Sequence, residues 1–281
     1  MRRLTALLVA LVLAGCGGEP VGDEAAPTSA GPVPAAVPPV PGIAAEAVRL
    51  RTDEAVGGRI QVRVTATADE PFTVTAVALD VPGFAPLPPV AVAAAFAPGR
   101  VIDLPTPYGA ARCPGAAAPA AARLTVLRPD GAVDEARVPL GGRALERVHD
   151  EECAAAAVAR AVELGVTDLR AGDEELSGRL TLTRRQGDER VGLDRVTGNV
   201  QFDVAAELPL ELAAGAGAAD GAVRFTVATC DGHVLAEVKQ PYVVPLGMRI
   251  GDEPVVVDLP VDDGLRTALA DLVARVCRGG S

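Results

Sequence analysis

Two stretches of the chain share an ordered set of features: VRLRTDEAVGGRIQVRVTAT from Val48 and TDLRAGDEELSGRLTLTRRQ from Thr167. Each has Leu-Arg, then an acidic turn, then Gly-Arg opening a segment of alternating apolar and polar residues. With Gly58 and Gly178 as equivalents, Cys113 follows 55 residues later in the first half and Cys230 follows 52 later in the second. Each half continues through an extended segment, ARLTVLRPDGAVDEARVPL or YVVPLGMRIGDEPVVVDLP, and closes on a helix-like stretch carrying Cys153 or Cys277. Five landmarks in one order point to a duplicated module, because self-similarity at a fixed period marks a repeated supersecondary unit. The reading places module one over residues 45–158 and module two over 159–281.

Alternation predicts strands within each module. In GRIQVRVTAT, Ile60, Val62, Val64 and Ala66 share one face while Gln61, Arg63 and Thr65 share the other. FTVTAVALDV, VRFTVATC and VIDLP have similar β-branched content, and turn signals recur at short intervals. RPDG and CDG supply Asp-Gly turns. The expected fold class is all-β: two tandem antiparallel β-sandwich modules, each with a short helix near its second cysteine. They resemble immunoglobulin-like sandwiches in architecture only, since the chain has no Trp for an antibody-type core. DDGLRTALADLVARVC places Leu265, Leu269, Leu272, Val273 and Val276 at helical spacing behind an acidic start. GRALERVHDEECAAAAVARAVEL is Ala-rich and helical around Cys153, and its end should feed the first strand of module two.

The N-terminus sets the compartment. Arg2 and Arg3 precede a nearly unbroken apolar run from Leu4 to Leu13, the pattern of an export signal too short to span a bilayer. Leu13-Ala14-Gly15-Cys16 resembles a bacterial lipobox. The resemblance implies cleavage after residue 15 and a diacylglyceryl thioether, with acyl chains of the palmitate type, on Cys16. No later segment approaches the length of a transmembrane helix, so the lipid is the expected anchor. Residues 16–44 then form a stalk: seven prolines and no aromatic residue between Gly17 and Gly42 favour extended, polyproline-like chain. The expected location is the extracytoplasmic face of a bacterial cell membrane.

That location bears on the remaining cysteines. Four in an exported chain favour disulfides, and of the three possible connectivities the repeat selects Cys113–Cys153 and Cys230–Cys277. A metal reading competes with it. His149 and Cys153 stand at i and i+4, and Cys230 lies three residues before His233. Each cluster offers only two soft ligands and the only methionines are Met1 and Met248, so no metal and no cofactor is expected.

Charge and composition exclude several functions. Losing Arg2 and Arg3 with the signal moves the formal charge from −11 to −13, which disfavours nucleic acid and anionic head groups as partners. Two Tyr, five Phe and no Trp leave few stacking platforms for sugars or single strands. Of the three serines, Ser29, Ser177 and Ser281, none sits in a nucleophile elbow. No HExxH, phosphate-binding loop or dinucleotide fingerprint occurs. Acidic clusters at Asp150–Glu152, Asp173–Glu175, Asp252–Glu253 and Asp262–Asp263 read as solvated turns and helix starts. The chain is not expected to be an enzyme.

TCDGHVLAEVKQPY crowds Cys230, His233 and the sole lysine, Lys239, into ten residues. As a strand, HVLAEVK would put His233, Leu235, Glu237 and Lys239 on one face, with His233, Glu237 and Lys239 as a candidate recognition strip. A remoter use of the same region is an isopeptide cross-link between Lys239 and Asn199 beside Glu237. The Cys-Asp-x-His-x-Leu-Ala-Glu-x-Lys run, with the lipobox and VHDEEC, resembles a family of uncharacterised secreted or lipid-anchored actinobacterial proteins. That resemblance implies location and architecture and brings no activity. The expected role is binding or structural, toward a protein partner in the cell envelope. A small-ligand or metal-binding lipoprotein serving a transporter is the alternative.

Overall fold

The computed structural model describes residues 36–278; the signal, Cys16 and most of the stalk lie outside the described residues. The chain is mostly β and its strands pair almost entirely antiparallel. The first half runs β1 (Ile43–Val48), α1 (Arg51–Val56), β2 (Arg59–Ala66), β3 (Phe72–Asp80), β4 (Val90–Phe96), β5 (Val101–Pro107), β6 (Ala121–Leu127), β7 (Val133–Gly141) and α2 (Ala144–Ala161). The second runs β8 (Val162–Ala171), β9 (Glu175–Arg184), β10 (Val191–Val196), β11 (Phe202–Ala206), β12 (Leu210–Leu212), β13 (Ala218–Val227), α3 (Gly232–Glu237), β14 (Pro245–Ile250), β15 (Glu253–Asp258) and α4 (Asp263–Arg278).

Strand pairing repeats between the halves. The order β4-β3-β6-β7 recurs as β12-β10-β14-β15, and β1-β2-β5 recurs as β8-β9-β13 with β11 added at the β13 edge. One join breaks the symmetry. β1 pairs along its length with β2 and also runs parallel to β7 at Ala45–Leu140 and Glu46–Gly141, which merges the first half into one seven-stranded sheet. Its edge strands β4 and β5 contact each other, so this sheet curls nearly into a barrel and is not two separate layers. The second half keeps two four-stranded sheets.

Alternation explains both cores. Ile60, Val62, Val64 and Ala66 of β2 are buried as their spacing predicts. They meet Phe72 and Phe96, whose rings stack with centroids 4.8 Å apart. Gln61 departs from the pattern, being 4% exposed on the polar side, because its amide reaches Asp53. The second core gathers Leu176, Leu180, Leu182, Leu193, Phe202, Phe225, Leu246 and Met248, closed by Leu265, Leu269 and Leu272 of α4. Asp262 starts α4 by accepting the Leu265 N–H at 2.7 Å. In RPDG the turn forms as expected: Gly131 takes a φ of 87° and Asp130 accepts the Ala132 N–H at 2.9 Å.

The closing helices are longer than the short ones expected, 18 residues for α2 and 16 for α4. α2 places Ala144, Leu145 and Val148 in the first core and Val158 in the second, then runs directly into β8 at Val162. The boundary expected between 158 and 159 therefore falls inside a continuous helix shared by both cores. At the other end Val40 packs on the first core, so the last residues of the expected stalk are part of the fold.

Both expected disulfides are formed, Cys113–Cys153 with Cα atoms 5.7 Å apart and Cys230–Cys277 with 5.3 Å. Cys113 lies between β5 and β6 and Cys230 between β13 and β14, equivalent places in the repeated pairing order. Two such bridges indicate an oxidising, extracytoplasmic environment. Among the described residues no helix is long and apolar enough to cross a membrane.

Candidate recognition cleft and disulfide corners

The segment after Cys230 is a helix, which corrects the expected strand. Asp231 Oδ1 accepts the N–H groups of His233 (2.8 Å) and Val234 (3.1 Å), so the Asp-Gly pair caps α3 and does not make a hairpin turn. In a helix the alternating set splits, and only His233 and Glu237, four residues apart, keep a common face. The N-cap, and the tether of Cys230 to α4, decide for the helix. His233 and Glu237 consequently stand at i and i+4. Lys239 follows just past the C-cap, Val238.

Despite the changed backbone, the three strip residues share one site. His233, Glu237 and Lys239 line a cleft of about 540 Å³ together with Asn199 and Val200 of the β10–β11 connection and Arg51 and Glu54 of α1. The first half thus contributes an acid and a base to a cleft otherwise built by the second. Val200 stands 60% exposed there, an apolar contact point among mixed charges. Sequence reading missed Arg51, Glu54 and Val200, which lie far from the CDGH stretch in the chain. The acidic run expected to be a turn is a helix, since Asp53 accepts the Leu50 N–H at 3.0 Å and winds residues 51–56 into α1.

Asn199 has a structural task. Its Oδ1 accepts from the N–H groups of Gln201 (2.8 Å) and Phe202 (2.9 Å), and its Nδ2 donates to the carbonyls of Pro241 (3.0 Å) and Val243 (2.9 Å). Its amide is spent pinning the β10–β11 connection to the segment before β14, the two walls of the cleft. In the same segment before β14, Tyr242 has the Arg266 guanidinium 4.7 Å from its ring centroid.

A smaller cleft of about 350 Å³ occupies the matching place in the first half, between the β3–β4 and β5–β6 connections, with Phe84, Tyr108, Arg112 and Arg123 in its lining. Tyr108 donates its hydroxyl to Glu152 at 3.0 Å; burial, then the Glu152 carboxylate, pushes its phenol above the usual range. Glu151 pairs with Arg49, so two of the three acids of the HDEEC stretch hold α2 against neighbouring chain. Ser177 lies in β9 and donates to the Arg170 carbonyl at 3.4 Å.

Beside the first bridge, His149 is 5% exposed. Its Nε2 lies 3.2 Å from the Arg112 carbonyl and 3.7 Å from Cys153 Sγ, and its ring meets Phe84 edge-on at 5.5 Å. Gly83 makes room for it: a Cβ there would come within 2.8 Å of the imidazole. Cys113 Sγ completes a set of three ligand atoms that lie within 4.8 Å of one another. The sequence showed the His149–Cys153 pair; the fold adds Cys113. For Cys230 and His233 no such grouping occurs among the described residues.

No family model and no curated protein matches the chain. Among solved structures it is similar to a crystal structure of the YadV chaperone, at 14% identity over 77% of this chain and 98% of that one, with a TM-score of 0.22. A score that low carries no argument for fold or function.

Proposed function

We propose that the chain is a lipid-anchored protein of the bacterial cell envelope, with two tandem immunoglobulin-like modules held off the membrane by the Pro-rich segment. Its role is recognition of an envelope protein and not catalysis, and the cleft lined by His233, Glu237 and Lys239 is the recognition site. The anchor rests on the lipobox at Leu13–Cys16 and the compartment on the two disulfides. The immunoglobulin-like reading rests on the repeated order β4-β3-β6-β7 with β1-β2-β5. Membership of the lipid-anchored actinobacterial family remains part of this proposal.

One observation carries the functional reading: residues from both halves converge on one cleft of about 540 Å³ that presents both signs of charge around an exposed valine. Charges of both signs around an exposed apolar contact suit a protein surface better than a small apolar ligand. Capture of envelope proteins on the lipidated full-length chain tests it. The triple substitution His233→Ala, Glu237→Ala and Lys239→Ala should reduce recovery of a specific partner by about tenfold or more, the equivalent of about 1.4 kcal/mol. Cys16→Ala should release the chain from the membrane and leave the cleft competent. Undiminished capture by the triple variant would remove the cleft from the account.

A further inference from the structure

We infer that reduction of the Cys113–Cys153 bridge opens a site for a soft or borderline metal ion such as Zn²⁺, ligated by Cys113 Sγ, Cys153 Sγ and His149 Nε2. This is independent of the recognition cleft. In the oxidised chain the two sulfurs are bonded to each other and are not thiolates, so the site exists only after reduction. A dithiol reductant supplies the two electrons. Its thiolate attacks one sulfur to give a mixed disulfide, and its second thiol resolves that, leaving an oxidised donor and two protein thiols. A divalent ion then displaces the two thiol protons.

The geometry is close to what such an ion needs. Tetrahedral ligands with a metal–sulfur bond of about 2.3 Å and a metal–nitrogen bond of about 2.0 Å stand roughly 3.5 Å apart. His149 Nε2 and Cys153 Sγ, one turn apart on α2, are already 3.7 Å apart. Cys113 is carried by a connection and not by a strand or helix, so it is the side that yields when the sulfurs separate. On the far side of the ring, Asp150 Oδ1 lies 3.9 Å from His149 Nδ1, the side from which a carboxylate orients a ligating imidazole. Two thiolates and one imidazole leave a fourth position for water. The Cys230–Cys277 bridge has no third ligand grouped with it among the described residues, which supplies an internal control.

The experiment uses the full chain carrying Cys16→Ala, which leaves Cys230 and Cys277 as the only other thiols after reduction, reduced with a dithiol that is then removed under argon, and titrated with Co²⁺ and then Zn²⁺. One Co²⁺ per chain should bind, with thiolate charge-transfer and tetrahedral d–d bands that Zn²⁺ abolishes and that the oxidised chain never shows. His149→Gln should weaken binding by at least tenfold and alter the d–d bands. If reduction unfolds the first core, Zn²⁺ should restore its Tyr108 signal in the parent and not in His149→Gln. The inference is overturned by three results: no saturable band together with no Zn²⁺-dependent refolding, binding indifferent to His149→Gln, or binding lost with Cys230→Ala.

Discussion

Replacing Cys113 and Cys153 together by alanine should lower the unfolding free energy of the first core by about 4 kcal/mol, the loop-entropy value for a loop of this size. The bridge closes 40 residues, nearly the 47 closed by Cys230–Cys277, so the matching double substitution in the second half should cost about the same. Each half has one tyrosine against its own core, Tyr108 in the first and Tyr242 in the second. Urea unfolding followed by tyrosine fluorescence in Tyr242→Phe therefore reports the first core alone, and in Tyr108→Phe the second. Each cysteine pair should move its own midpoint more than the other. α2 belongs to both cores, so some of the loss should pass across it. Equal movement of both midpoints by either pair would mean that the halves unfold as one unit.

Asp53→Ala should destabilise the first core by about 3 kcal/mol, as expected when a buried acceptor of three bonds is removed and the donors around it are left unmatched. Asp53 is 1% exposed and accepts three bonds: from the Leu50 N–H at 3.0 Å, Arg59 Nε at 2.9 Å and Gln61 Nε2 at 2.7 Å. After Asp53→Ala the buried Gln61 amide is left without its acceptor, whereas the Arg59 side chain is about a third exposed and can turn to water. Arg59→Ala should cost a comparable amount by another route, since it leaves the buried Asp53 carboxylate without its counter-charge, and Asp53→Asn should cost less than Asp53→Ala because it keeps an acceptor. The measurement is the Tyr108 midpoint described above. Asp53 also fixes α1, which carries Arg51 and Glu54 to the cleft, so Asp53→Ala should weaken partner capture as well. A stability change below about 0.5 kcal/mol, the scatter of ordinary surface substitutions, would contradict the assignment.

The framework was legible in the sequence wherever it rests on period and pairing. The alternation of Ile60, Val62, Val64 and Ala66 announces β2, and the offset from Gly58 and Gly178 to the next cysteine announces which sulfurs meet. Two features were not legible for a physical reason. A six-residue helix is too short to show a helical period, so α1 and α3 read as a turn and a strand. What forms them is a local capping contact, the Asp53 carboxylate at Leu50 and the Asp231 carboxylate at His233 and Val234. The joining of β1 to β7, a parallel contact of two residue pairs between strands 85 residues or more apart, leaves no local trace.

The candidate site was half legible. His233, Glu237 and Lys239 were read as one strip and do share a cleft, but on a helix and its exit and not on a strand. Arg51 and Glu54 come from chain about 180 residues earlier, and only the fold brings them to Asn199 and Val200. The grouping of Cys113, His149 and Cys153 was more legible: helical spacing predicts the His149–Cys153 pair and the repeat predicts the bridge that brings Cys113 to it.

The proposal stands or falls on whether the cleft at α3 is where this protein meets its partner. Photo-crosslinking from a probe at Val200, in the full-length lipidated chain on intact cells, tests it most directly. The account predicts a discrete adduct with one envelope protein, lost when His233, Glu237 and Lys239 are replaced by alanine and absent from a probe at Val133, which is 64% exposed on β7 of the first half. Adducts of equal yield from Val133 and Val200, or an adduct at Val200 that survives the triple substitution, would contradict it.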